Sequence, residues 1–158
     1  GRPRWCVCDA AKDRFCVNLR EPACIAVIDA TTGQLQAQWP IPSAGPHGLD
    51  LAPDEMAYVA SDGGQVIAVD TVAGMITAQV AIAGVPDAVW YNPARQQLYV
   101  AIGDPGCVQV VDVEHMQVVQ TLTTAPGAHT TAFDVQRQTL FVFLPGTSQA
   151  GVYRITDA

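Results

Sequence analysis

Asp29, Asp70 and Asp112 each close a short apolar run, and they stand 41 and 42 positions apart. The runs are Ile25-Ala26-Val27-Ile28, Val66-Ile67-Ala68-Val69 and Val108-Gln109-Val110-Val111. Tyr58-Val59, Tyr99-Val100 and Phe141-Val142 keep the same spacing, and Phe15-Cys16-Val17 fills the slot of an earlier copy. A period of about 40–45 residues built from strand-length runs marks a four-stranded propeller blade. One blade cannot cover both of its own faces, so the period also requires that blades stack side by side.

Each repeat opens on a short strand: Trp5-Cys6-Val7-Cys8, Leu49-Asp50-Leu51, Ala88-Val89-Trp90-Tyr91 and Thr131-Ala132-Phe133-Asp134. A turn rich in Pro, Asn and Asp follows, as in Pro53-Asp54-Glu55 and Asn92-Pro93-Ala94-Arg95. The second strand is clearest at Gln97-Leu98-Tyr99-Val100-Ala101, and the third runs into its terminal Asp. That carboxylate is placed to accept N–H groups of the next turn, as in Asp29-Ala30-Thr31-Thr32-Gly33. The fourth strand (Leu35 to Trp39, Met75 to Ile82, Gln117 to Thr121) alternates polar and apolar residues and is expected on the outside, half-exposed. The expected fold is therefore an all-β β-propeller of four blade repeats, near 4–46, 47–86, 87–128 and 129–158. Three are complete. The fourth stops at Ala158 after Val152-Tyr153-Arg154-Ile155 and lacks its outer strand, and helix is expected to be nearly absent.

Charged residues make up only 15%, against roughly 25% in ordinary soluble domains, which suits sheets covered on both faces. The net charge of −7 and the absence of a basic run argue against nucleic acid and anionic membranes as partners. No apolar stretch reaches the roughly 18 residues of a membrane span. The chain starts without Met or a leader, as if an upstream portion were removed or left out. Its five cysteines are odd in number and strand-bound, so they read as small buried hydrophobes rather than a disulfide framework. Cys6-Val7-Cys8 puts two thiols on one strand face with no second pair to complete a zinc site. Such usage leans toward a reducing, cytoplasmic compartment.

Arg4, His47, Asp87 and His129 hold the same place, one at the opening of each repeat. Radial stacking would gather them around one channel rim, with Arg20, Glu21, Asp62 and Asp104 from the second-to-third-strand loops farther out. Two readings stand. In one, the four form a ligand site, with His47, Asp87 and His129 holding a divalent metal or doing acid–base work. In the other, each satisfies backbone groups where its blade begins. His115 belongs to a turn on the opposite rim. No Gly-x-Ser-x-Gly elbow, P-loop or His-Glu-x-x-His is present, and Trp5, Trp39 and Trp90 are expected to pack between blades.

Pro53-Asp54 with Tyr58-Val59-Ala60, Tyr99-Val100-Ala101, Val27-Ile28-Asp29 with Thr31-Thr32-Gly33, and Gly45-Pro46-His47-Gly48 resemble the YVTN-type β-propeller family. The resemblance runs through the whole chain, which is similar to the C-terminal half of a member with about seven blades. It implies the fold but spreads over several functions: sugar-lactone hydrolases, cofactor-dependent dehydrogenase subunits, surface-layer components and extracytoplasmic proteins. The expectation is a binding or scaffold module with its ligand at the rim, leaning away from an enzyme. The alternatives are a metal-dependent lactonase- or lyase-type propeller and an inactive fragment of a larger one. Four blades of a wide ring would leave apolar faces at both ends, so self-association into a homodimer that closes the ring is expected. Docking of a complementary N-terminal half is the rival.

Overall fold

The computed structural model describes residues 1–156; Asp157 and Ala158, the end of the fourth repeat, lie outside the described residues. The backbone forms strands and, among the described residues, no helix. The first sheet is β1 (Pro3–Asp9), β2 (Arg14–Arg20), β3 (Ala23–Asp29) and β4 (Leu35–Pro40). The second is β5 (Pro46–Leu51), β6 (Met56–Ser61), β7 (Gln65–Asp70) and β8 (Met75–Ala81). The third is β9 (Val85–Asn92), β10 (Gln97–Asp104), β11 (Cys107–Asp112) and β12 (Gln117–Thr123). The last has three described strands, β13 (Thr131–Asp134), β14 (Thr139–Leu144) and β15 (Gln149–Arg154). Every sheet is an antiparallel meander in chain order, and together they make a propeller-like, all-β fold.

Strand periodicity explains how one sheet serves two neighbours. Successive side chains of a strand point to opposite faces. In β6, Ala57 and Val59 pack toward the first sheet while Tyr58 and Ala60 pack toward the third. In β10, Leu98, Val100 and Ile102 face the second sheet and Tyr99 faces the last. Hence β6, β7, β10 and β11 are buried along nearly their whole length, whereas β8 and β12 alternate and are half-exposed, as expected of outer strands. The first strands face inward and touch one another, β1 against β5, β5 against β9 and β9 against β13. Trp5 and Trp39 lie in the core between the first two sheets and Trp90 in that between the last two.

The turns repeat as faithfully as the strands. Asp29 Oδ1 accepts the N–H groups of Thr31 and Thr32, Asp70 those of Val72 and Ala73, and Asp112 those of Glu114 and His115. Those bonds hold the three carboxyls below their ordinary pKa. At the other hairpin, Asp13, Glu55, Gln96 and Gln138 all take a left-handed backbone. Their carbonyls accept the N–H groups of Ala30, Thr71, Val113 and Ile155, tying the first turn of each sheet to the end of its third strand.

The ring is not closed. The first sheet turns Phe15 outward and the last turns Phe141, Phe143 and Val152 outward, each at least a third exposed. The cysteines divide accordingly. Cys16, Cys24 and Cys107 are buried as expected, and burial pushes the Cys16 thiol up to about 11. Cys6 and Cys8 are exposed, contrary to a reading of all five as core, because the face they occupy has no neighbouring sheet.

Candidate functional site

A β-bulge opens three of the four first strands. Arg4 and Trp5 lie opposite the single residue Asn18, His47 and Gly48 opposite Ala60, and Asp87 and Ala88 opposite Ala101. A bulge re-aims a side chain out of the ordinary alternation, and here it acts at the same position in the first three sheets. Asn18 Nδ2 donates to the carbonyls of His47 and Gly48, so the bulge of β5 is held from the sheet before it. His129 stands two residues before β13, its ring against Gly103.

Two glycines let these openings close on one another. A Cβ on Gly48 would lie 2.2 Å from the Asp87 carbonyl oxygen, so only Gly lets β5 approach β9 this nearly. Gly45, at φ +60°, leaves the space that the Asp62 carboxylate fills.

The outcome is a continuous chain of hydrogen bonds from the first sheet to the segment that leads into the last. Arg20 pairs with Asp62, whose Oδ1 is 3.2 Å from His47 Nδ1. His47 Nε2 is 2.8 Å from Asp87 Oδ1, and the other Asp87 oxygen bonds His129 Nδ1. An imidazole that donates from both nitrogens must carry a proton on each, so His47 in this arrangement is a cation. Its pKa is raised, chiefly by the hydrogen bond to Asp87; burial and the nearby Arg4 guanidinium oppose that rise. The Asp87 carboxyl is held below its ordinary value, first by the bond to His47. The chain borders a cavity of about 720 Å³. Arg4, His47, Asp87, His129 and Asp104 supply its polar lining, and Val85, Pro86 and Pro126 its apolar one.

All four opening residues named from the sequence therefore meet at one cavity, and Asp104 joins them. Asp62, expected farther out, is instead in direct contact with His47. The period could place Asp62 in its loop, but the positive-φ turn at Gly45 that admits it is a feature of the backbone. His115 bonds only its own turn carboxylate, Asp112, among the described partners, and is exposed. Among the described residues no three His, Cys, Asp or Glu side chains are grouped as ligands, and both His47 nitrogens are turned to carboxylates.

No family model matches the chain. The uncharacterized protein YncE of Salmonella typhi is 35% identical over 94 residues, and that of Salmonella typhimurium 34%. Each alignment covers 60% of this chain and 26% of the relative, so the matched part is about a quarter of those relatives' length. Among solved structures, hydrazine synthase of Kuenenia stuttgartiensis superposes with a TM-score of 0.77 at 18% identity. That match covers 84% of this chain and 39% of the other and is a likeness of fold.

Proposed function

We propose that this chain is a section of a β-propeller of the YVTN type and acts as a binding module, taking a small polar ligand in the rim cavity. One observation carries the reading. Residues from all four repeats, far apart in sequence, join in a single charged chain beside one cavity of ligand size. The chain pre-orients its members, so a ligand meets groups whose positions are already set. Arg4 and Asp104 add one charge of each sign at the wall, which suits a ligand with both donor and acceptor groups.

The geometry of His129 favours a second reading, that of an acid–base site. Its Nδ1 is bonded to Asp87 and its side chain is half-exposed at the cavity, the arrangement that prepares a histidine to exchange a proton through Nε2. The hydrolytic alternative would use that pair.

Histidine side-chain resonances test the binding reading. Titration with acetate, glycine and glycerol, as anionic, zwitterionic and neutral probes, is expected to give a saturable shift of His47 and His129 with at least one of them. His115 should stay still, and Asp87→Asn should remove the response. The reading is overturned if no probe moves the pair at millimolar concentration, or if His115 moves with them.

A further inference from the structure

Asn18 is fully buried in β2, between the first two sheets, where an amide is an uncommon group. The ladder fixes its slot: Asn18 pairs with Ile25 as Ala60 pairs with Val66 and Ala101 with Val108. The next two sheets thus place a buried alanine where the first places an amide. Alanine is all that the fold requires there. β9 opens through its bulge at Asp87 and Ala88 with only the methyl group of Ala60 in the corresponding slot of the sheet before it. The amide also carries a cost, since its Oδ1 is buried with no hydrogen-bond partner among the described residues.

What Asn18 adds is directed at His47. Its Nδ2 donates to the carbonyl of His47 at 2.9 Å and to that of Gly48 at 3.0 Å, which uses both amide protons. Turning the amide over would set Oδ1 against two carbonyl oxygens, so these bonds settle its orientation. From the other side β9 lies against Gly48, where a Cβ would be 2.2 Å from the Asp87 carbonyl oxygen. The bulge that carries His47 is therefore gripped by the sheets on both sides. The imidazole needs that grip. Its ring is rigid, and its nitrogens must meet Asp62 at 3.2 Å and Asp87 at 2.8 Å together. The Asp62 bond is already at the long end of the N–H···O range, so a small backbone displacement breaks it first.

We propose that Asn18 is a positioning residue of the rim site: it fixes the backbone of His47 so that one imidazole spans Asp62 and Asp87 at once. Asn18 does not line the cavity and acts through His47.

Imidazole and side-chain amide NMR test this. Asp87 on β9, Asp62 after β6 and Arg4 on β1 are the charges that act on His47, and the bond to Asp62 is one of those that raise its pKa. In the wild type, the Asn18 amide protons are expected to shift with the same midpoint as the His47 ring, because one carbonyl they bond belongs to His47. Asn18→Ala is expected to keep the β-sheet circular dichroism spectrum and to lower the His47 midpoint toward the ordinary imidazole value. A merely structural Asn18 would lower stability and leave that midpoint in place, which would overturn the proposal. Wild-type Asn18 amide protons that ignore the His47 titration would overturn it too, even if the variant failed to fold. A last readout rests on the binding reading. Whichever of acetate, glycine and glycerol moves His47 and His129 should bind Asn18→Ala roughly two- to tenfold more weakly, the cost of ordering one side chain on binding. Equal binding would overturn the positioning role and leave the binding reading standing. If no probe binds the wild type, the binding reading fails and the titration still decides the role of Asn18.

Discussion

His47 is where residue chemistry and fold are most closely coupled. Its raised pKa means that it contributes stability fully below its unfolded value of roughly 6.5, and loses that contribution as pH rises through the higher folded value. Asp87 has the opposite sign: its lowered pKa gives a contribution present above roughly 3.9 and lost as pH falls through the folded value. The ion-pair chain therefore stabilises most between about pH 4 and 6.5. Urea denaturation of wild type and His47→Gln should differ by about 1 kcal/mol at pH 5.5, and the gap should narrow by pH 8.5. A gap that widens with pH would refute the doubly donating imidazolium. The sequence was enough to put His47 at a strand opening, because the 41-residue spacing is visible in residue types. Its bond to Asp62 was not legible, since it depends on the positive-φ turn at Gly45 that admits the Asp62 carboxylate beside β5.

Among elements, the β5–β9 contact decides whether the site exists. Gly48→Ala would push a methyl into the Asp87 carbonyl and force the strands apart. We expect a loss of about 1–3 kcal/mol, as for other overpacked contacts. The His47 titration should also fall back toward its ordinary value, which imidazole NMR would detect. A stable variant with an unchanged titration would mean that β5 and β9 can separate without breaking the chain. Turns divide by how much chemistry they require. Gly33 and Gly74 announce the positive φ of the third-to-fourth hairpin, but the third sheet puts Met116 in the same conformation at φ 47°. At the first hairpin Asp13, Glu55, Gln96 and Gln138 share a left-handed backbone without a glycine among them, so that repeat is not announced by the residue that most favours it.

In the molecule as a whole, stability should follow coverage. Stacked repeats gain most where both faces have a neighbour, and amides open most slowly where burial is deepest. Hydrogen exchange of the chain should therefore be slowest in β6, β7, β10 and β11 and faster in β1 and β15. Equal protection in all four sheets would show instead that they open as one unit.

The period, the strand alternation and the terminal Asp of each third strand were set down in the sequence, because backbone hydrogen bonding and a two-residue side-chain period act locally. From these came the all-β repeat, its four units, its half-exposed outer strands and the coincidence of Arg4, His47, Asp87 and His129 at one level. Tertiary structure alone decided what those residues became. The bulges turned them toward one cavity, and Gly48 let two sheets close to bonding distance. Asp62 was drawn in beside Gly45, and His47 became a shared cation rather than a free donor of lone pairs. Each depends on distances between segments separate in sequence, from the 15 residues between His47 and Asp62 to the 42 between Asp87 and His129, and such distances exist only once the strands have paired and the sheets have packed.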